Sequence, residues 1–151
     1  MRARTRSELA TALAAKNVPD DAANRVLDRL SKVGLVDDAA FAASFVQSRR
    51  QERGLATREL SRQLRGKGVE ESIVAEVVAD LDPVHEVETA RRLVQRKLRS
   101  MSSLAPEVQT RRLAGMLARK GYPPGIAFQV IRDVIGGELP ESDDADTAWL
   151  A

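Results

Sequence analysis

The chain has 151 residues, 43% of them apolar and 30% charged, which suits one domain or a few small repeated modules and excludes a wholly disordered polar chain. The longest uncharged apolar run, Ala39 to Val46, is far short of a membrane span; the absence of cysteine excludes disulfides, thiolate nucleophiles and cysteine-held zinc, and the single histidine, His85, leaves no histidine cluster for a metal. The net charge of +2 hides an uneven distribution: 19 of the 24 bases are arginine, and five acids with no base in residues 136–151 leave the rest of the chain at +7, a basic body expected to meet an anionic partner.

In chain order, Arg2, Arg4 and Arg6 precede a short apolar stretch from Leu9 to Ala15 that superficially has the form of a secretory signal. Glu8 and Lys16 bound it, and the stretch recurs later in the chain, so it reads as part of the fold of a cytoplasmic protein. Thr5 and Glu8 have capping-box spacing at the start of a first helix, which Lys16-Asn17 should stop. A second helix starts near Pro19. A longer helix follows from about Asp37 to Arg53, capped by Asp37 or Asp38, with Phe41, Phe45 and Val46 inside. After a loop near Gly54, a short helix ends at Lys67-Gly68 and another starts near Glu70. A second long helix runs from about Pro83 to Arg99, with Asp82 as cap and Pro83 in its first turn. The linker 100–103, a short helix ending at Lys120-Gly121 and a last helix from about Pro123 complete the order. Residues 136–151 lack helical periodicity and read as a disordered acidic tail, with Trp149 near its end.

Self-similarity organises these elements. Leu9, Leu13, Lys16, Asn17, Val18, Ala22, Val26 and Leu30 shift by 51 residues onto Leu60, Leu64, Lys67, Gly68, Val69, Ile73, Val77 and Leu81. A further shift of 53 reaches Leu113, Leu117, Lys120, Gly121, Tyr122, Ile126, Val130 and Val134. The apolar members are expected in the core, with Tyr122 partly exposed. The natural module is a long helix followed by two shorter ones. The expected fold class is therefore all-α, with eight helices in tandem three-helix, helix-turn-helix-like modules that stack into an elongated curved body. The expected boundaries are 1–36 for a first module without its long helix, 37–82 for the second, 83–135 for the third and 136–151 for the tail.

Three basic clusters are in register with the repeat. Arg49, Arg50, Arg53, Arg58, Arg62, Arg65 and Lys67 face only Glu52 and Glu59; Arg91, Arg92, Arg96, Lys97 and Arg99 form the second; Arg111, Arg112, Arg119 and Lys120 form the third. Arg58, Arg62 and Arg65 recur at i, i+4 and i+7, as do Arg92, Arg96 and Arg99, so each set shares one helix face. Arginine's planar fork suits phosphate and carboxylate. The residues expected to bind a partner or nucleic acid are Arg49, Arg50, Arg53, Arg58, Arg62, Arg65, Lys67, Arg92, Arg96, Arg99, Arg111, Arg112 and Lys120. The sequence contains no phosphate-binding loop, paired-carboxylate motif or nucleophile elbow, and no aromatic platform for stacking bases, so neither catalysis nor a cofactor is expected. His85 reads as a solvated residue in a first helical turn.

The run from Val26 to Ala42, VLDRLSKVGLVDDAAFA, with Arg58-Glu59-Leu60 to Lys67-Gly68-Val69 and Leu117 to Tyr122, resembles the signature of the RecX family, bacterial regulators of the RecA recombinase. The resemblance covers about residues 5–135. It implies tandem three-helix modules and a protein that binds RecA and the groove of its nucleoprotein filament, inhibiting ATP hydrolysis, strand exchange and co-protease activity with no chemistry of its own. The family pattern has one more N-terminal helix, which would complete the first module, and lacks the acidic tail. The implied partners are RecA and the RecA–DNA filament, with weak DNA binding possible in principle, no membrane and a monomeric state. A stand-alone basic DNA-binding protein and a protein-only helical adaptor are the alternatives that the residues themselves leave open.

Overall fold

The computed structural model describes residues 3–136, and the expected tail lies outside them apart from Gly136. Among the described residues there are eight helices and no strand: α1 (Arg6–Ala15), α2 (Asp20–Lys32), α3 (Asp38–Arg53), α4 (Thr57–Gly66), α5 (Glu71–Ala79), α6 (Pro83–Arg99), α7 (Pro106–Arg119) and α8 (Pro124–Ile135). None of them is long and apolar enough to cross a membrane.

The three repeated turns have the same hydrogen-bond pattern. Val18, Val69 and Tyr122 each donate a backbone N–H to the carbonyl five residues back, at Leu13, Leu64 and Leu117, while Asn17, Gly68 and Gly121 donate to Ala14, Arg65 and Ala118. This is the Schellman arrangement, in which the residue after the cap must be left-handed. Asn17 has φ 60, Gly68 φ 78 and Gly121 φ 93. The two glycines are also tightly approached: a Cβ on Gly68 would meet the Ser7 side chain at 2.2 Å, and one on Gly121 would meet the Glu59 backbone nitrogen at 2.6 Å. Asn17 has the same backbone at an exposed site, which is why a side chain is tolerated there.

Helix starts follow their cap chemistry. The Thr5–Glu8 capping box is present in full. Asp37 caps α3, its carboxylate accepting from the Ala40 N–H at 3.0 Å. Asp38 serves another helix: its carboxylate accepts from the Arg6 N–H at 2.9 Å, at the first turn of α1. Asp82 caps α6 by accepting from Val84. Pro19, Glu70 and Pro123 are the caps themselves, one position before the first turn, and make no side-chain cap bond.

The chain forms two compact units that do not coincide with the repeats: Met1–Arg49 with Leu60–Asp80, and Arg50–Glu59 with Leu81–Ala151. In the first unit, Leu27, Ala42, Leu60, Leu64 and Val74 are at most 1% exposed. The Thr5 hydroxyl, wholly buried, accepts from the Glu8 N–H at 3.1 Å and donates to the Lys67 carbonyl at 2.7 Å, so both of its hydrogen-bonding capacities are used. In the second unit, α6, α7 and α8 pack on one another around Ala90, Val94, Leu113, Leu117, Ala127 and Ile131.

The second unit repeats the joint of the first. Thr57, the counterpart of Arg6, donates its N–H to the Glu86 carboxylate at 2.6 Å. Ala56, the counterpart of Thr5, donates its N–H to the Lys120 carbonyl at 2.8 Å. In each unit the N-terminus of one copy's short helix is thus held by a carboxylate on the next copy's long helix and by the carbonyl of the next copy's turn lysine. This joint explains why the boundary falls inside α4, whose first turn is bound into copy three.

Three expectations are corrected. The most buried register of the second helices lies one residue beyond the repeat positions, at Ala23, Val74 and Ala127, because the helix turns its core face between those rows. Tyr122 is 3% exposed, its hydroxyl donating to the Gly54 carbonyl at 2.7 Å. The loop at Gly54, expected to be flexible, is buried from Gly54 to Ala56 and pinned by Tyr122 and Lys120. In the linker 100–103, Met101 is likewise buried and its carbonyl accepts from the Gln109 side chain at 2.8 Å.

Candidate anion-binding surface

In the first unit, Arg49 lies over the Phe45 ring, its guanidinium carbon 5.0 Å from the centroid. Lys67 sits 5.9 Å and 5.8 Å from the stacked rings of Phe41 and Phe45 and 3.7 Å from the Glu8 carboxylate. Its backbone carbonyl holds Thr5, so Lys67 is a structural residue of the turn. Arg62 and Arg65 are exposed on α4, away from buried Leu60 and Leu64. Arg65 is engaged by Glu71, with two charge-assisted bonds of 2.7 Å and 2.6 Å. That hydrogen bonding holds the Glu71 carboxyl below its ordinary range and raises the guanidinium, on a pair fully open to water. An exposed pair of this kind adds little stability, but it turns Arg65 inward to its own chain.

In the second unit, α6 presents Arg92, Arg96 and Arg99 on the side opposite buried Ala90 and Val94, all three exposed. Among the described residues none of the three is in an ion pair; Arg92 donates to the Thr89 hydroxyl at 3.2 Å. Their neighbour Arg91 instead pairs with Asp133 of α8 at 3.5 Å. Arg111 and Arg112 are exposed near the middle of α7 and Arg58 is exposed in the first turn of α4, again with no ion pair among the described residues. Arg50 is half-buried and Arg53 exposed at the end of α3. Lys120 donates from Nζ to the Arg53 carbonyl at 2.6 Å, and burial first, then the charges of Arg53 and Arg119, lower its pKa. An ammonium group committed to a carbonyl and crowded by two cations is a strut of the turn.

Of the thirteen residues expected to bind, Lys67, Lys120 and Arg65 therefore have roles inside the molecule. The α6 row and the Arg111–Arg112 pair are the cations of the second unit left to an outside partner. Sequence reasoning passed over Arg25, Arg29 and Lys32 on α2, which are exposed with no ion pair among the described residues. The signal was the same i, i+4, i+7 spacing, hidden by the nearby acids Asp20, Asp21 and Asp28. Arg6 pairs with Asp28 at 2.7 Å, which removes the one acid within that row. Among the described residues no group of three potential metal ligands gathers.

Three family models match in chain order: "RecX, first three-helix domain" over residues 1–30, the second three-helix domain over 37–78 and the third over 85–131. The regulatory protein RecX of Streptomyces coelicolor is 50% identical over 147 residues, covering 97% of this chain and 76% of that protein. The chain belongs to the RecX family. The regulatory protein RecX of Thermobifida fusca is 46% identical over 140 residues, covering 93% of this chain and 76% of its own. The crystal structure of RecX from Lactobacillus salivarius has the same fold at 18% identity, with a TM-score of 0.77 over 90% of this chain and 88% of that one. The relatives are named as regulatory proteins, and the RecX three-helix domains account for the repeated helices and turns described above.

Proposed function

We propose that this RecX-family chain is a non-enzymatic negative modulator of the RecA recombinase in the cytoplasm, binding RecA and the groove of its nucleoprotein filament and lowering ATP hydrolysis, strand exchange and co-protease activity. The observation that carries this reading is the 50% identity to a regulatory protein RecX along 97% of the chain. The arrangement of cations supports it. Arg92, Arg96 and Arg99 form one exposed row without carboxylate partners, and guanidinium groups placed in this way bind phosphates or the acidic surface of a protein with no reaction needed. Inhibition is then by occupancy.

The test is a titration of the DNA-dependent ATPase of the cognate recombinase. Activity should fall at less than one chain per recombinase monomer, and unchanged activity at saturating protein refutes the proposal. Changing Arg92, Arg96 and Arg99 to Glu should weaken the inhibition at least tenfold while helical content stays the same, since charge reversal at phosphate contacts costs on the order of 1 kcal/mol or more per site. The unpaired row also favours a second reading, direct binding to naked DNA. That reading predicts an affinity whose logarithm falls with salt by about 0.9 per neutralised phosphate, and failure to shift duplex at low salt excludes it.

A further inference from the structure

Val26, Val77 and Val130 occupy one register of the second helix in the three copies. Val26 is 47% exposed, Val77 half-buried and Val130 1% exposed. The second unit shows what covers the register: α8 packs on α6, whose Ala90 and Val94 are fully buried in the core that includes Val130. Among the described residues no long helix precedes α1, so the same register in copy one opens to water. It forms a stripe on α2 made of Val26, half-buried Leu30 and Val33, the last 64% exposed, and continues into Leu35 at 75%. Helical spacing of i, i+4 and i+7 keeps the three α2 residues in line. Ala23 and Leu27 border the stripe on the side that packs on α1; Arg25, Arg29 and Lys32 border it on the other.

We propose that this face of α2 docks one amphipathic helix supplied by a partner protein. The internal repeat sets the shape of the occupant: a helix with small apolar residues four apart, as Ala90 and Val94 are on α6, so that its backbone can approach closely. The basic row sets its charge, a rim of Glu and Asp beside Arg25, Arg29 and Lys32. Apolar anchors give a helix-in-groove contact its affinity, and the charged rim selects the partner. This surface is separate from the arginine row on α6, and the proposal does not depend on the recombinase reading.

The probe is a labelled synthetic peptide of the 17-residue α6 sequence with its arginines and lysine changed to Glu, titrated with the whole chain and followed by fluorescence anisotropy. Saturable binding is expected. Val26→Asp, at an exposed position that does not endanger folding, should weaken it at least about tenfold with the circular dichroism unchanged. Changing Arg25, Arg29 and Lys32 to Glu should weaken the acidic peptide and strengthen the unaltered, basic α6 peptide. Absence of saturable binding, binding indifferent to Val26→Asp, or equal binding of the acidic and basic peptides overturns the proposal. Sedimentation of the chain alone supplies one more overturning outcome: a dimer that Val26→Asp dissolves would assign the face to a second copy.

Discussion

Tyr122 is the single tyrosine of the chain, so alkaline titration reports on one buried site. Its hydroxyl is enclosed and donates to the Gly54 carbonyl, and burial, then the charge of Glu86, push its pKa far above the ordinary value of 10.0 against the opposing effect of Arg50 and Arg92. The folded state holds the phenolic proton more tightly than the unfolded chain does. The group therefore leaves stability unchanged below about pH 10, and stability falls as pH rises from there toward the folded pKa, by up to about 1.4 kcal/mol per pH unit. For a small unit whose whole stability is roughly 5–15 kcal/mol, one or two such units of pH matter. The assay records tyrosinate absorbance and circular dichroism together as pH is raised from neutrality. Tyrosinate should appear only as helical signal is lost. Tyr122→Phe should abolish this tyrosine-linked loss of stability and, at neutral pH, cost roughly 1–3 kcal/mol by leaving the buried Gly54 carbonyl without its donor. A phenol that ionises reversibly near pH 10 in a chain still fully helical would refute the reasoning.

Thr5→Val should destabilise the first unit by roughly 1–3 kcal/mol in urea unfolding, because the Glu8 N–H and the Lys67 carbonyl both lose their partner, while Thr5→Ser should retain most of the stability. Gly121→Ala should be far more damaging than Gly34→Ala. Both glycines are left-handed, at φ 93 and 79, but only at Gly121 does the new Cβ collide with backbone, whereas around Gly34 there is nothing within 4 Å. Thermal unfolding of the pair should show a loss of about 1 kcal/mol for Gly34→Ala and several times that for Gly121→Ala.

Turn chemistry was legible in the sequence because it is local. The Lys-Gly pairs, the Thr5–Glu8 spacing and Asp82 before Pro83 depend on residues a few positions apart, and each has the expected form. The identity of the long-range partners was not legible. Nothing near Asp38 in the sequence says that its carboxylate holds the Arg6 amide while Asp37 does the local capping. Gly54 reads as a loop breaker because its burial depends on Tyr122, sixty-eight residues away. The core register of α2 was displaced by one residue for a similar reason: valine at position 26 matches its counterparts in type, and only the neighbouring helix decides whether the position is covered. Arginine spacing revealed the rows on α4 and α6. It did not reveal that Glu71 takes Arg65, or that Lys67 and Lys120 are tied to rings and carbonyls.

The joint found in both units has a consequence for how such a chain can grow. Each copy brings its own plug, the start of its short helix, and its own socket, a long-helix carboxylate with a turn carbonyl. A duplicated stretch of gene would therefore arrive already able to couple to its neighbour, with no fresh interface to evolve. The converse holds for excision. A fragment cut at residue 83 would lose Gly54, Ala56 and Thr57, and with them the contacts that the Tyr122 hydroxyl, the Lys120 carbonyl and the Glu86 carboxylate make in the intact chain.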